Sequence, residues 1–253
     1  MDLKQANLNR WNACHIPADL GPAFKKVADQ LMAPDAVLRY KKVETLTGVP
    51  WWFIAVVHYR EASQRWNTQL AQGDPLNQKS THRPQGRGPY PTWEDGAVDA
   101  LKNCAPYAAK NTDWSIGGAL ALLEQYNGLG YADMGKPSPY LWAGTDQYSQ
   151  GKYVADGKYD PSVVDHQLGC AGLLKFMGVF KTAPTGVGTA IGGAAVGTGA
   201  VVAAVHPSWF QWAEAHWVAL TIAAIGIGLF VDLAFAIYNN EKNQLKVNNV
   251  HAI

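Results

Sequence analysis

Glu61 stands at the end of a strongly apolar run and is the residue best placed to do chemistry. It follows the run Trp51–Val57, whose side chains are all apolar. Burial disfavours the charged form of a carboxyl group, so such a glutamate can keep its proton near neutral pH and act as a general acid. The alternative interpretation is an ordinary glutamate at a helix end, paired with Arg60 or Arg65.

Asp74 is the candidate for a second carboxylate. It lies in residues 67–92, where repeated Gly and Pro residues predict a loop or a small hairpin lobe. Loop geometry would let Asp74 face the end of the helix that carries Glu61 and serve as a general base. The equally open alternative is that Asp74 only forms the turn before Pro75.

Candidate contacts for a substrate are mostly aromatic or amide side chains. The chain has ten tryptophans and eleven tyrosines, which can fill a core or stack on sugar rings. The residues selected are Tyr126, Asn127, Tyr90, Trp93 and Ser63. The sequence holds no HExxH, P-loop or CxxC pattern, so neither a metal nor another cofactor is expected.

The elements that must position these residues are predicted to be mostly helical. Apolar residues recur at helical spacing in residues 22–31 and 35–46, and Pro50 suits a first helical turn. Thr92 is a good N-cap for a helix that continues through Leu101. The other expected helices cover 22–31, 35–46, 113–125 and 161–180, while residues 131–159 are expected to be largely irregular.

The distribution of charge predicts a domain boundary near Thr182. Residues 1–181 hold 19 of the 21 Lys and Arg residues and 17 of the 20 Asp and Glu residues. A net charge of +1 gives no reason to expect nucleic acid as a partner. Cys14, Cys104 and Cys170 are odd in number and are interpreted as reduced, buried residues of a protein made in the cytoplasm.

The segment 182–253 contains two stretches long enough to cross a bilayer, 185–205 and 217–238. They predict a two-helix transmembrane-like hairpin followed by a short polar tail. No secretory signal opens the chain, so we expect a protein that is made in the cytoplasm. The hairpin would associate it with the inner membrane. Lysines on both sides of the hairpin would keep the first domain cytoplasmic, so the membrane must be breached or the hairpin must insert from outside.

Several motifs resemble those of goose-type lysozymes and the related soluble lytic transglycosylases. In those proteins the catalytic glutamate ends a hydrophobic helix and is usually followed by serine, whereas here Ala62 follows Glu61 and Ser63 comes next. Gly73-Asp74 is similar to the Gly-Asp found beyond that glutamate in goose-type lysozymes. Residues 125–130 resemble the family's Ala-Tyr-Asn-x-Gly-x-Gly helix end, with glutamine where alanine is usual.

A closer resemblance is to phage and prophage endolysins of Gram-negative hosts. It is carried by four short runs, Gly73–Leu76, Thr81–Pro84, Gly86–Pro89 and Trp93-Glu94. The resemblance implies a mainly α, lysozyme-like α+β globule in residues 1–181, with Tyr126 close to the acid. The implied activity is cleavage of the β-1,4 glycan bond of peptidoglycan during bacterial cell-wall lysis. From the inner membrane the chain would act on periplasmic peptidoglycan as a phage-encoded or virion-associated protein.

The resemblance leaves the reaction type open. An inverting hydrolase needs a second carboxylate about 6.5–9.5 Å from the acid, and Asp74 would fill that role. A lytic transglycosylase needs no such base, because the C6 hydroxyl of muramic acid attacks and leaves an anhydro end.

Two other classes of function compete with the enzyme. One is an inactive lysozyme fold that binds glycan or serves as a structural part of a virion. The other is a holin-like protein in which the hairpin of residues 182–253 permeabilises the membrane. The sequence does not indicate the oligomeric state or the host.

Overall fold

A computed structural model describes residues 2–155 and 157–180, and within them the chain is mainly helical. The prediction of a mainly α protein is confirmed for this part of the chain. The helices are α1 Leu3–Ala13, α2 Gly21–Leu31, α3 Pro34–Thr47, α4 Trp51–Ala62, α5 Trp93–Asn103, α6 Ile116–Tyr126, α7 Gly130–Asp133, α8 Pro139–Trp142 and α9 Cys170–Met177. A 3₁₀ turn covers Ala108–Lys110, and two strands, β1 Lys152–Ala155 and β2 Lys158–Asp160, form an antiparallel hairpin.

Helix α4 is the centre of the hydrophobic core. Its residues 53–58 are all buried, because the run is apolar on every face, and it packs against α3 and α9. Gly48, in the left-handed conformation (φ 75°), ends α3 just before α4 begins. Helix α1 packs against α6, and α2 packs against α9. These contacts enclose α4 up to its last turn, where Glu61 lies.

His58 fixes an aromatic cluster on one side of α4. It is fully buried, and burial lowers its pKa to about 4, so the imidazole is neutral at physiological pH. Nε2 lies 3.0 Å from the carbonyl oxygen of Arg65, which can only accept, so Nε2 carries the proton. Nδ1 therefore accepts from the Tyr40 hydroxyl at 3.0 Å. The rings of Trp66 and Trp93 pack on His58 with centroids 4.6 and 4.5 Å away.

Some sequence-based boundaries need correction. The last helix begins at Cys170 and not near residue 161. Just before it, the carbonyl oxygens of Gln167 and Leu168 accept hydrogen bonds from the Arg60 guanidinium and not from helix amides. Helix α6 begins at Ile116 because Ser115 caps it. The segment 131–159, expected to be largely irregular, holds most of α7, all of α8 and β1, and the start of β2. Helix α1 is a further element, which the sequence patterns do not predict.

Three other predictions concern the cysteines and the membrane. Cys14, Cys104 and Cys170 are free and buried, as predicted. Among the described residues, no helix combines the length and the apolar character that crossing a bilayer requires. The predicted boundary near Thr182 and the two predicted spans, 185–205 and 217–238, lie outside the described residues.

Candidate active site

Glu61 lies in the last turn of α4, where the helix leaves the core. The backbone turns sharply after it: Ser63 is left-handed (φ 50°), and its amide donates to the carbonyl oxygen of Tyr59 at 2.9 Å. Gln64 is left-handed as well (φ 58°). Glu61 as a residue is partly exposed, although most of its surroundings are protein. The end of α4 thus brings a desolvated carboxyl close to the surface of the protein.

The surroundings of Glu61 raise its pKa to about 7. Burial is the largest cause, and it is partly offset by a hydrogen bond from Tyr140 and by the charge of Arg60. The Tyr140 hydroxyl donates to Oε1 of Glu61 at 2.8 Å, and Tyr140 itself is buried in α8. A carboxyl with this pKa is a mixture of acid and carboxylate near neutral pH, and it can therefore both give and take a proton.

Tyr126 ends α6 and packs on the helix that carries the acid. Burial raises the pKa of its hydroxyl, and the charge of Glu61 raises it further. Its ring packs on Phe53 of α4 with centroids 5.9 Å apart, and its hydroxyl oxygen is buried with no hydrogen-bond partner among the described residues. Next to it, the exposed Asn127 donates to Oγ of Ser138 at 3.0 Å. Asn127 therefore ties the end of α6 to the start of α8.

A cavity of about 570 Å³ opens beside the end of α4. We call it the hairpin cavity, because strand β1 forms one of its sides. Its volume falls within the range of small-molecule sites in proteins. Its lining includes Arg60, Asn127, Pro139, Lys152, Asp165 and Gln167. Arg60 and Pro139 are chain neighbours of Glu61 and Tyr140, so the cavity lies beside the two helices that carry this pair, although neither side chain of the pair lines it.

Asp74 is already engaged by its own loop. Its Oδ2 accepts from the backbone amides of Thr81 and His82 at 2.8 and 3.0 Å, and its Oδ1 lies 2.6 Å from Nδ1 of His82. These contacts, led by the His82 amide, lower the pKa of Asp74. The loop passes over the end of α4, since a Cβ on Gly73 would lie 3.7 Å from the backbone oxygen of Glu61. Asp74 thus belongs to a loop that passes the end of α4, and its carboxylate stabilises that loop.

The structure argues against a substrate role for Trp93 and gives Tyr90 a different partner. Trp93 is 1% exposed and packs inside the aromatic cluster, so no sugar can stack on it. Tyr90 donates its hydroxyl to Asp99 at 2.5 Å and does not line the hairpin cavity. Ser63 is exposed at the helix end, where its backbone conformation shapes the turn after Glu61.

Sequence reasoning missed Tyr140, Arg60, Lys152 and Asp165. Tyr140 is separated from Glu61 by 79 positions, and the pair is created only by the packing of α8 against α9 and α6. The sequence suggests Arg60 as an alternative partner of Glu61, but in the structure Arg60 forms an ion pair with Asp165 at 2.9 Å. The one available indication was the Ser-Pro pair at 138–139, which is typical of a helix start.

A second glutamate has the same raised pKa in a different setting. Glu124 of α6 is 2% exposed, and burial raises its pKa to about 7. Its Oε2 accepts a long hydrogen bond, 3.4 Å, from Nδ2 of Asn7 in α1. Its Oε1 has no hydrogen-bond partner among the described residues. Glu124 is therefore an interior group of the α1–α6 interface and provides a natural comparison for Glu61.

Within residues 2–155 and 157–180, no group of three or more His, Cys, Asp or Glu side chains is arranged to hold a metal ion. Comparison of the chain with family models, with curated proteins and with solved structures found no match. The resemblance to goose-type lysozymes and phage endolysins therefore remains a prediction that depends on the motifs and on the site geometry.

Proposed function

We propose that this chain cleaves the β-1,4 bond between N-acetylmuramic acid and N-acetylglucosamine in peptidoglycan, with Glu61 as the general acid. The observation that carries the proposal is the environment of that carboxyl, at the end of a buried apolar helix, with a pKa of about 7 and a direct hydrogen bond from Tyr140. In this proposal the domain is a lysozyme-like α+β globule, and its biological role is lysis of the bacterial cell wall.

The proposed reaction begins with proton transfer from Glu61 to the glycosidic oxygen. The bond between that oxygen and C1 of the muramoyl residue breaks, and the ring passes through an oxocarbenium-like transition state. A nucleophilic hydroxyl then adds to C1, and its proton returns to the Glu61 carboxylate. The position of Glu61 at a helix end near the surface supports this sequence, because its carboxyl must meet the leaving oxygen first and the incoming hydroxyl afterwards.

The nucleophile in this proposal is the C6 hydroxyl of the same muramoyl residue. Of the two carboxylates selected from the sequence, Asp74 accepts hydrogen bonds from Thr81 and His82, whereas Glu61 has a pKa suited to exchanging a proton. A route that needs one carboxyl is therefore favoured over one in which Asp74 must hold a water. The product would be a 1,6-anhydromuramoyl end.

The test is mass spectrometry of the soluble products released from purified peptidoglycan by the full-length chain and by its Glu61→Gln variant. We expect anhydromuramoyl ends from the wild type and no release above background from the variant. If the products carry reducing muramic acid ends instead, Glu61 remains the general acid, but the nucleophile is water and not the C6 hydroxyl. Equal release by both proteins would refute the assignment of Glu61, and binding without release by either would identify a glycan-binding protein.

A further inference from the structure

The hairpin cavity carries buried charge that the cleavage step does not use. Arg60 and Asp165 form an ion pair whose side chains are only 6% and 5% exposed, and Nη1 of Arg60 also donates to the carbonyl oxygen of Gln167 at 2.7 Å. Nε of Arg60 is buried without a hydrogen-bond partner among the described residues. Burying two charges costs desolvation, which their attraction and further hydrogen bonds must offset.

Lys152 brings a second cation to the same carboxylate. Its Nζ lies 3.3 Å from Oδ1 of Asp165, and its side chain is 39% exposed at the edge of the cavity. The described lining residues therefore carry two positive charges, on Arg60 and Lys152, and one negative charge, on Asp165. An ammonium group has three N–H donors, so contact with Asp165 leaves donors of Lys152 for a ligand.

Lys152 is held in place by the backbone on both sides. The amide of Tyr153 donates to the Tyr131 hydroxyl at 2.9 Å, and the two rings meet edge to face with centroids 5.1 Å apart. The preceding Gly151 donates its amide to the carbonyl oxygen of Val163 at 2.8 Å. Strand β1 is thus hydrogen-bonded to Tyr131 of α7, which fixes the backbone from which the Lys152 side chain extends.

The charges of the described lining residues favour one class of ligand. A neutral sugar would need hydrogen bonds but no cation, and a phosphate dianion would bring a double charge toward the Asp165 carboxylate. A single carboxylate matches the N–H donors that Lys152 has left. Within the proposed substrate, carboxylates occur on the muramoyl residue, either as the free lactyl group or on the attached stem peptide.

We propose that the hairpin cavity binds the muramoyl residue of the substrate and that Lys152 recognises a carboxylate on that residue. This inference deepens the proposed function and depends on it for the identity of the ligand. Because the cavity adjoins the end of α4 through Arg60 and Pro139, a muramoyl residue held there would present its glycosidic bond toward Glu61. Lys152 would then be a specificity residue and not a catalytic one.

The experiment measures binding by calorimetry with the full-length Glu61→Gln variant, so that no ligand is consumed. Three probes are compared: the neutral N-acetylglucosamine tetramer, the alternating tetrasaccharide with free lactyl carboxylates, and the same tetrasaccharide with stem peptides. We expect at least one carboxylate-bearing probe to bind about tenfold more tightly than the neutral tetramer, as a charge-assisted hydrogen bond implies. The probe that shows the gain identifies the carboxylate.

The matched variants are Lys152→Met, Lys152→Arg and Lys158→Met, each added to Glu61→Gln. Lys158 lies in β2 of the same hairpin, opposite Ala155, and does not line the cavity. Lys152→Met should remove the preference, whereas Lys152→Arg and Lys158→Met should keep it. Equal affinity for all three probes, or an unchanged preference in Lys152→Met, would overturn the assignment.

The failure of this inference is distinct from the failure of the proposed function. If the wild type releases anhydromuramoyl ends but Lys152→Met keeps its preference, the enzyme stands and the carboxylate site is refuted. If the preference depends on Lys152 while the wild type releases nothing from peptidoglycan, the site stands and the enzymatic function is refuted.

Discussion

Glu61 and Glu124 are two glutamates with the same raised pKa and opposite surroundings. Both lie in helices of the core, and burial is the main cause of the rise to about 7 in each. Glu61 is partly exposed and receives a 2.8 Å hydrogen bond from Tyr140, whereas Glu124 is 2% exposed and shares one long contact with Asn7. The comparison shows that a raised pKa reports burial, and that access for a ligand and a positioning partner must be established separately.

The largest expected effect is on turnover. Glu61→Gln should lower kcat about 10²–10⁴-fold, the contribution of a general acid, because an amide has no acidic proton to give. Glu124→Gln, which removes an equally shifted carboxyl from a closed interface, should leave kcat within about twofold. Initial rates on peptidoglycan at pH 6 to 8 measure both. A comparable loss in Glu124→Gln, with its fold intact by circular dichroism, would remove the distinction between the two sites.

The two glutamates should behave alike in their effect on stability. A pKa raised from 4.5 to about 7 means that the folded chain holds a proton that the unfolded chain releases, so the free energy of unfolding falls as pH rises through this range. Above pH 7 the full penalty is present, on the order of 3 kcal/mol for each carboxyl.

Denaturant unfolding from pH 4 to 8 of the wild type and of both Gln variants tests this expectation. Each substitution should flatten the decline, and the gain in stability should be largest at the alkaline end. A decline as steep as that of the wild type in Glu124→Gln would mean that its carboxyl is not held in the acid form.

Tyr140→Phe should change the pH dependence of the rate and not only its size. The Tyr140 hydroxyl stabilises the Glu61 carboxylate, so its removal should raise the pKa of Glu61 further. If the acid form is the active one, the alkaline limb of kcat/KM should move to higher pH by about one to two units, since hydrogen bonds to charged groups contribute about 1.5–3 kcal/mol. Tyr107→Phe is the matched control, because Tyr107 is exposed and does not line the hairpin cavity. An unmoved limb would exclude Tyr140 as a positioning residue.

The smallest effect is expected at Asp74. Because amides of Thr81 and His82 stabilise its carboxylate, Asp74→Asn should loosen the loop of residues 67–92 and leave kcat within about tenfold. The stabilising contribution of the carboxylate is present above the unfolded pKa and is lost as pH falls through the lowered folded value. Limited proteolysis and steady-state rates measure the two effects. A loss as large as that of Glu61→Gln would restore Asp74 as a base.

The parts of the fold that could be predicted from sequence are those encoded by neighbouring residues. Thr92 caps α5 as expected, by accepting from the amide of Asp95, and the apolar run before Glu61 correctly predicts a buried helix. Local patterns suffice there because the partners are three or four positions apart.

The remainder of the site comes from contacts between distant segments. Glu61 meets Tyr140 only after α8 has packed against α6 and α9, and Arg60 meets Asp165 only when the segment before α9 reaches α4. Trp93 illustrates the reverse problem, since an indole in a first helical turn looks the same in sequence whether it faces a cleft or the core. The Trp93 indole is buried because it packs on Tyr40, His58 and Trp66, which are distant from it in the sequence.

The turn after Glu61 has a consequence for engineering. Ser63 and Gln64 both adopt the left-handed conformation, which costs residues with a Cβ about 1–2 kcal/mol each. The Gln64 side chain offsets part of that cost by donating to the carbonyl oxygen of Gln30 at 3.1 Å and to the Tyr40 hydroxyl at 3.3 Å. Glycine at position 63 would raise the melting temperature while giving the acid more freedom, so gains in heat tolerance obtained there would come at the expense of rate.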